Sequence, residues 1–132
     1  MKKTKPGRRS SKDKKWQEVK NLVARRDNMQ CRLCKILSIS EMAELKRQAP
    51  SHILKVVDPA HVIPVGVNAS MCYMPENIVT LNRYSHDMLD YNKHPITGET
   101  LTKHEVMDWW IRIVGEELFK QLLALSKNRK RL

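Results

Sequence analysis

Ala60-His61-Val62-Ile63-Pro64, then Glu76-Asn77-Ile78-Val79, then His86: the ordered trio of His61, Asn77 and His86 decides how this chain is read. One imidazole opens a short apolar run that stops at a proline. An amide stands just ahead of a β-branched run, and a second imidazole follows that amide by nine positions. These are the parts of a metal-assisted hydrolysis. An imidazole can take a proton from water near neutral pH, and an amide can hold a loop in shape. A second imidazole, on another element, can hold a cation.

Working outward, His61 to Val65 reads as an extended piece framed by Pro59 and Pro64, and Ile53 to Val57 as a β-branched strand ahead of it. Gly66 to Pro75 is a polar, turn-rich loop, and Ile78 to Leu81 is a further strand, able to pair with the one carrying His61. Tyr84 to about Lys93 is predicted as a helix closed by His94-Pro95. Asp90 lies four residues after His86, which puts both on one helical face, where they can share a divalent cation. The expected product is a compact ββα unit. Its base and its metal would sit on opposite sides of a phosphate-sized gap.

Helices are expected on both flanks. Trp16, Val19, Leu22 and Val23 recur at helical spacing between residues 12 and 27. Met29 to Lys35, with Cys31-Arg32-Leu33-Cys34, reads as a tight turn. Ser38 and Glu41 form a capping-box pattern ahead of a helix to Gln48, which Pro50 ends. Thr102 and Glu105 repeat the pattern. The helix that follows carries Val106, Trp109, Trp110, Ile113 and Val114, and after Gly115 a last helix runs through Leu118, Phe119, Leu122 and Leu125. The two tryptophans are expected to be packing residues. The fold class is therefore α+β, a hairpin-helix core flanked by helices. The division is a basic flexible arm over 1–11, one domain over 12–126 (core 53–94, C-terminal helices 102–126) and a basic tail over 127–132.

The distribution of charge says more than its size. The chain has 132 residues and a net charge of +11. Residues 1–15 carry eight Lys or Arg against Asp13 alone, and 127–132 carry four with no acid, so the excess lies wholly in the two ends. Such ends suit a polyanion held by displaced counterions, with Arg8, Arg9, Lys12, Lys14 and Lys15 as contacts. The basic start runs into polar residues rather than an apolar stretch, so no signal peptide is expected. The window Trp109–Val114 is too short to cross a bilayer, so no membrane partner is expected either. Three cysteines, an odd number, speak against a secreted disulfide framework and for a reducing cytoplasm.

The residues 60–93 resemble the HNH endonucleases, whose core is a ββα-metal hairpin and helix. The family pattern is a His followed by an apolar residue, a variable position and Pro, then an Asn ahead of an apolar strand, then His or Asn nine positions on. His61-Val62-Ile63-Pro64, Asn77 and His86 supply it, and Arg26-Asp27, Cys31 and Cys34 resemble the usual lead-in. The resemblance implies a metal-dependent endonuclease that cuts or nicks double-stranded DNA with Mg²⁺ or Mn²⁺. His61 would be the general base, Asn77 the residue that pins the hairpin loop, and His86 a metal ligand. Arg83 would contact a neighbouring phosphate. The resemblance further allows a bacteriophage setting, a host cytoplasm and DNA-packaging proteins as partners.

Two departures stand out. Many relatives place an Asp or His ligand just before the catalytic His, where this chain has Ala60; Asp90 and Asp58 compete to replace it. Many also fasten the hairpin with two CxxC pairs and a structural zinc. Here Cys31 and Cys34 form one pair, and Asn82 and Ser85 stand where the second would fall, with Cys72 and His52 as other candidate ligands. Structural zinc is therefore not expected. The alternative function is a non-catalytic nucleic-acid-binding module that retains the hairpin.

Overall fold

The computed structural model describes residues 11–127. The expected arm, with Arg8 and Arg9, and the tail beyond Lys127 lie outside them, and Lys12 enters only as part of a helix. The chain is mixed α and β, in the order α1 (Ser11–Arg26), α2 (Arg32–Ile36), α3 (Ile39–Gln48), α4 (Ser51–Leu54), β1 (Val57–His61), β2 (Ile78–Asn82), α5 (Arg83–Asp90), α6 (Lys103–Val114) and α7 (Glu116–Lys127). Two short 3-10 turns, Ala69–Met71 and Pro75–Asn77, lie in the long connection from β1 to β2. No helix among the described residues is long and apolar enough to cross a membrane.

β1 and β2 pair antiparallel, with His61 opposite Ile78, Pro59 opposite Thr80 and Val57 opposite Asn82. The expected strands at 53–57 and 61–65 are thus corrected to a single strand at 57–61. Pro50 caps another helical turn at Ser51, which takes Ile53 and Leu54 out of extended geometry. Beyond His61 only Val62 continues the ladder, its N–H donating to the Asn77 carbonyl at 2.8 Å.

That bond also explains how β1 tolerates Asp58-Pro59. Bonded and non-bonded pairs alternate along an antiparallel ladder. Val62 N–H bonds the Asn77 carbonyl and Arg83 N–H bonds the Val56 carbonyl at 2.9 Å, so Pro59 and Thr80, an odd number of steps from both, form a non-bonded pair. Pro59 therefore forfeits no ladder bond. The outward-turned Thr80 N–H donates instead to Asp27 Oδ2 at 3.0 Å. Arg26 uses the same outer edge, donating to the Ile78 carbonyl at 2.7 Å. Asp27 is buried, and besides Thr80 it accepts from Arg26 and Arg32. Burial acts to raise its carboxyl, but the Arg26 guanidinium and the Thr80 amide prevail and hold it at about 2. A polar peg thus fixes α1 to β2, and Val19 and Val23 pack on Ile78 beside it.

Other boundaries moved for local reasons. The turn expected at 29–35 is made by Asn28 and Met29, both at positive φ, after which Cys31 caps α2. α5 stops at Asp90 rather than Lys93, because Asn92 takes the left-handed conformation at φ 58°. Both capping boxes form: Ser38 with Glu41 and Thr102 with Glu105. The main core joins β1, β2 and α5 to α6 and α7 through Val62, Val79, Leu81, Leu89, Val106, Trp110, Ile113, Phe119 and Leu122. Gly115 turns α6 into α7 at φ 96°, a conformation costly for a residue with a side chain.

Candidate active site

His61 ends β1 and is held on two counts. Its Nε2 lies 2.9 Å from the Cys72 carbonyl oxygen. A carbonyl only accepts, so Nε2 carries the hydrogen and Nδ1 keeps a free lone pair. Its ring also stacks on Trp16 of α1, with centroids 5.5 Å apart and planes 15° from parallel.

Asn77 is fully buried behind this imidazole and ties the two ends of the hairpin loop together. Its Oδ1 accepts from the Ile63 N–H at 2.8 Å, and its Nδ2 donates to the carbonyls of Ile63 at 3.0 Å and Met71 at 3.3 Å. An amide has both donor and acceptor, so it can serve both backbone groups of one residue, Ile63; neither Asp nor Leu can.

β2 runs straight into α5, capped by the Asn82 side chain, and α5 presents His86. A carboxylate stands at each of its ring nitrogens: Asp58 Oδ2 lies 3.3 Å from Nδ1 and Asp90 Oδ2 lies 3.3 Å from Nε2. Asp58 is also gripped by Arg83 through Nε at 3.2 Å and Nη2 at 3.0 Å. Burial acts to raise the Asp58 carboxyl, but Arg83 and His86 outweigh it and hold it below the usual carboxylate range. Asp90 shifts the other way, raised chiefly by burial. The two carboxylates that compete on sequence grounds are therefore placed differently. Asp58, ion-paired to Arg83, is a hydrogen-bond partner of Nδ1, and Asp90 is a neighbour of Nε2. Arg83, expected at a phosphate, has an intramolecular partner, and its side chain remains half exposed.

His61, His86 and Asp90 line one open cavity of about 680 Å³. Its far wall is apolar, built by Val106 and Trp110 of α6 and Phe119 and Leu123 of α7, and Lys103 lines it as well. The two imidazoles therefore face common space from different elements. Among the described residues, no three His, Cys, Asp or Glu side chains are grouped to hold a metal ion. Asp58 and Asp90 address opposite edges of the His86 ring, so only His86 Nε2 and Asp90 converge.

The chain matches no family model, no curated protein and no solved structure. What the site can do is therefore argued from its own chemistry.

The cysteine pair has a different setting from the residues that line the cavity. The buried Asn82 amide donates to Cys31 Sγ at 3.4 Å, to Cys34 Sγ at 3.7 Å and to Ser85 Oγ at 3.1 Å. Ser85 passes the chain on to the Pro95 carbonyl at 2.9 Å. Sharing with the Cys34 thiol, helped by the Asn82 and Cys34 N–H groups, draws Cys31 down to about 6; Cys34 is pushed up in turn. Cys72 lies apart in the hairpin loop, where its carbonyl serves His61.

Sequence reading missed Trp16 as a neighbour of His61 and Asp27 as the peg under β2. The first was half visible, since Trp16 lies on the apolar stripe of α1. Which residue that stripe would meet is a tertiary fact. Lys14 and Lys15 are exposed on α1, and Lys15 Nζ lies 5.3 Å from the Tyr73 ring centroid.

Proposed function

We propose that this protein is a divalent-cation-dependent endonuclease of the ββα-metal (HNH) type, hydrolysing phosphodiester bonds of double-stranded DNA. The observation that carries the reading is the cavity shared by His61 and His86, with complementary states of the two rings. Committing His61 Nε2 to the Cys72 carbonyl leaves Nδ1 to take a proton from an attacking water. Committing His86 Nδ1–H to Asp58 leaves the Nε2 lone pair facing an Asp90 oxygen. Two such lone pairs at 3.3 Å repel unless a proton or a cation lies between them. A ring oriented by a carboxylate on one nitrogen and offered to a cation on the other is a common arrangement in metal sites.

The donor set is one imidazole nitrogen and one carboxylate. It fits Mg²⁺ or Mn²⁺, which accept few protein ligands and complete their shell with water and phosphate oxygens. When bound, such a cation supplies Lewis-acid stabilisation of charge on the phosphate and the departing oxygen. The residues do the rest. Asn77 holds the loop that carries the Cys72 carbonyl, Asp58 sets the His86 tautomer, and Lys103 and the α1 lysines favour a polyanion.

The test is a supercoiled-plasmid assay with Mg²⁺ or Mn²⁺, comparing the wild type with His61→Ala and His86→Ala. We expect metal-dependent nicking that falls at least about a hundredfold in either variant. A wild type inert with both metals, or a His61→Ala variant as active as the parent, defeats the reading.

The buried Ala60, which offers no donor where many relatives have a ligand, favours a second reading: a module that binds nucleic acid without cutting it. Salt-sensitive DNA binding without cleavage in any divalent metal selects it.

A further inference from the structure

We infer that Trp16 is a positioning residue for His61, holding the plane of the imidazole, and through it the Nε2–H to Cys72 bond that sets the tautomer, from an element outside the hairpin-helix unit. The inference rests on the proposed role of His61 as a base and adds a part that the ββα unit does not contain.

A histidine side chain turns about two bonds. The Nε2–H to Cys72 carbonyl bond fixes one edge of the ring but leaves it free to rock about that bond. The Trp16 indole removes this freedom, lying 5.5 Å away and within 15° of parallel. The indole is itself held. Tyr73, which follows Cys72, packs on Trp16 at 6.4 Å, and both lean on Val19, Val23 and Ile78. Trp16 and the carbonyl that bonds His61 are therefore referenced to one small cluster, and Asp27 pegs that cluster to β2.

The stack has a chemical consequence as well as a geometric one. A base that accepts a proton becomes an imidazolium, and a cation over an aromatic face is favoured, most of all over an indole. The contact is thus stronger after proton transfer than before it. It assists the step itself rather than substrate binding. Lys20 Nζ, 5.6 Å from the indole centroid, draws on the same π system.

Trp16→Leu keeps apolar bulk and removes the aromatic face; Trp16→Phe keeps a smaller face. The expected result has two arms. Long-range ¹⁵N–¹H spectra of the His61 ring show one dominant tautomer, with Nε2 protonated, in the wild type and an averaged mixture in Trp16→Leu. In the nicking assay kcat falls about tenfold in Trp16→Leu while KM changes less than about twofold, and Trp16→Phe recovers most of the loss. A merely structural role for Trp16 lowers the melting temperature and removes the ring-current shift but leaves the single Nε2-protonated ¹⁵N pattern of His61 intact. An unchanged ¹⁵N tautomer pattern of His61 in a folded Trp16→Leu overturns the inference. If that variant does not fold, the wild type decides: cross-relaxation between the indole and His61 ring protons, with upfield ring-current shifts on the latter, is expected, and its lack overturns it equally. A wild type with ordered ring signals but no cleavage sinks the nuclease reading and leaves the positioning of His61 standing.

Discussion

Asn77 meets the loop with three hydrogen bonds, one accepted by Oδ1 and two donated by Nδ2, and it is fully buried. Asn77→Ala should therefore cost about 3 kcal/mol or more, since it strips the Ile63 N–H and carbonyl of these bonds and leaves the Met71 carbonyl only the Met74 N–H. Urea denaturation checks this, and a cost under about 1 kcal/mol would mean that the loop re-forms without the amide. Asn77→Asp should do little better, because a carboxylate cannot donate to the Ile63 and Met71 carbonyls. The same residue shows what was legible in sequence. An Asn before an apolar strand announced a loop-pinning amide, and the spacing to His86 announced a second element. That Cys72 lends its carbonyl to His61 was not legible, because a backbone acceptor carries no side-chain signature. The same holds for Asp58 and Asp90 taking opposite nitrogens of one ring: spacing put both within reach of His86, and only the register of β1 against β2 separates their roles.

Elements were read best where a local motif closes on itself. Ser38 with Glu41 and Thr102 with Glu105 settle two helix starts from four residues each. The strand ahead of His61 was misplaced because Val56 and Val57 look like the end of a strand and Asp58-Pro59 looks like its breaker; in fact Val57 begins it. Pro59 survives there because its pairing position asks nothing of its nitrogen, and register is invisible to composition. The peg between α1 and β2 carries a prediction at this scale. Asp27 is held at about 2, below the usual carboxylate range. A depressed carboxylate contributes stability that is complete above its unfolded value and drains away as pH falls towards the folded one. Melting temperature should therefore drop between about pH 4 and pH 2 more steeply in the wild type than in Asp27→Asn. The variant should also be less stable at neutral pH, because it no longer offers two anionic oxygens to Arg26, Arg32 and the Thr80 amide. Parallel pH profiles of the two proteins would show that the peg contributes nothing through its charge.

For the whole molecule the balance of charge sets the expectations. The middle of the chain is neutral and the ends hold the entire +11 excess. If those ends bind DNA, affinity should fall about a hundredfold or more between about 50 and 200 mM salt, and deleting residues 1–10 should flatten that slope. Filter-binding titrations at several salt concentrations read it out, and an unchanged slope after deletion would move the contacts onto the folded domain. Within that domain, the structure gathers the cavity from two distant parts of the chain: a hairpin and helix over 57–90, and a pair of C-terminal helices that supply its apolar wall. One further feature governs how such experiments can be run. The fastening around Cys31, Cys34, Asn82 and Ser85 is sewn with an amide and a hydroxyl, and chelators have no grip on those. On the proposed reading, EDTA would remove a divalent ion held at His86 and leave the melting temperature unchanged; a large drop in melting temperature with EDTA would show that a metal holds the scaffold. Metal-free and metal-loaded protein could then be compared as the same folded object, with each metal returned in turn.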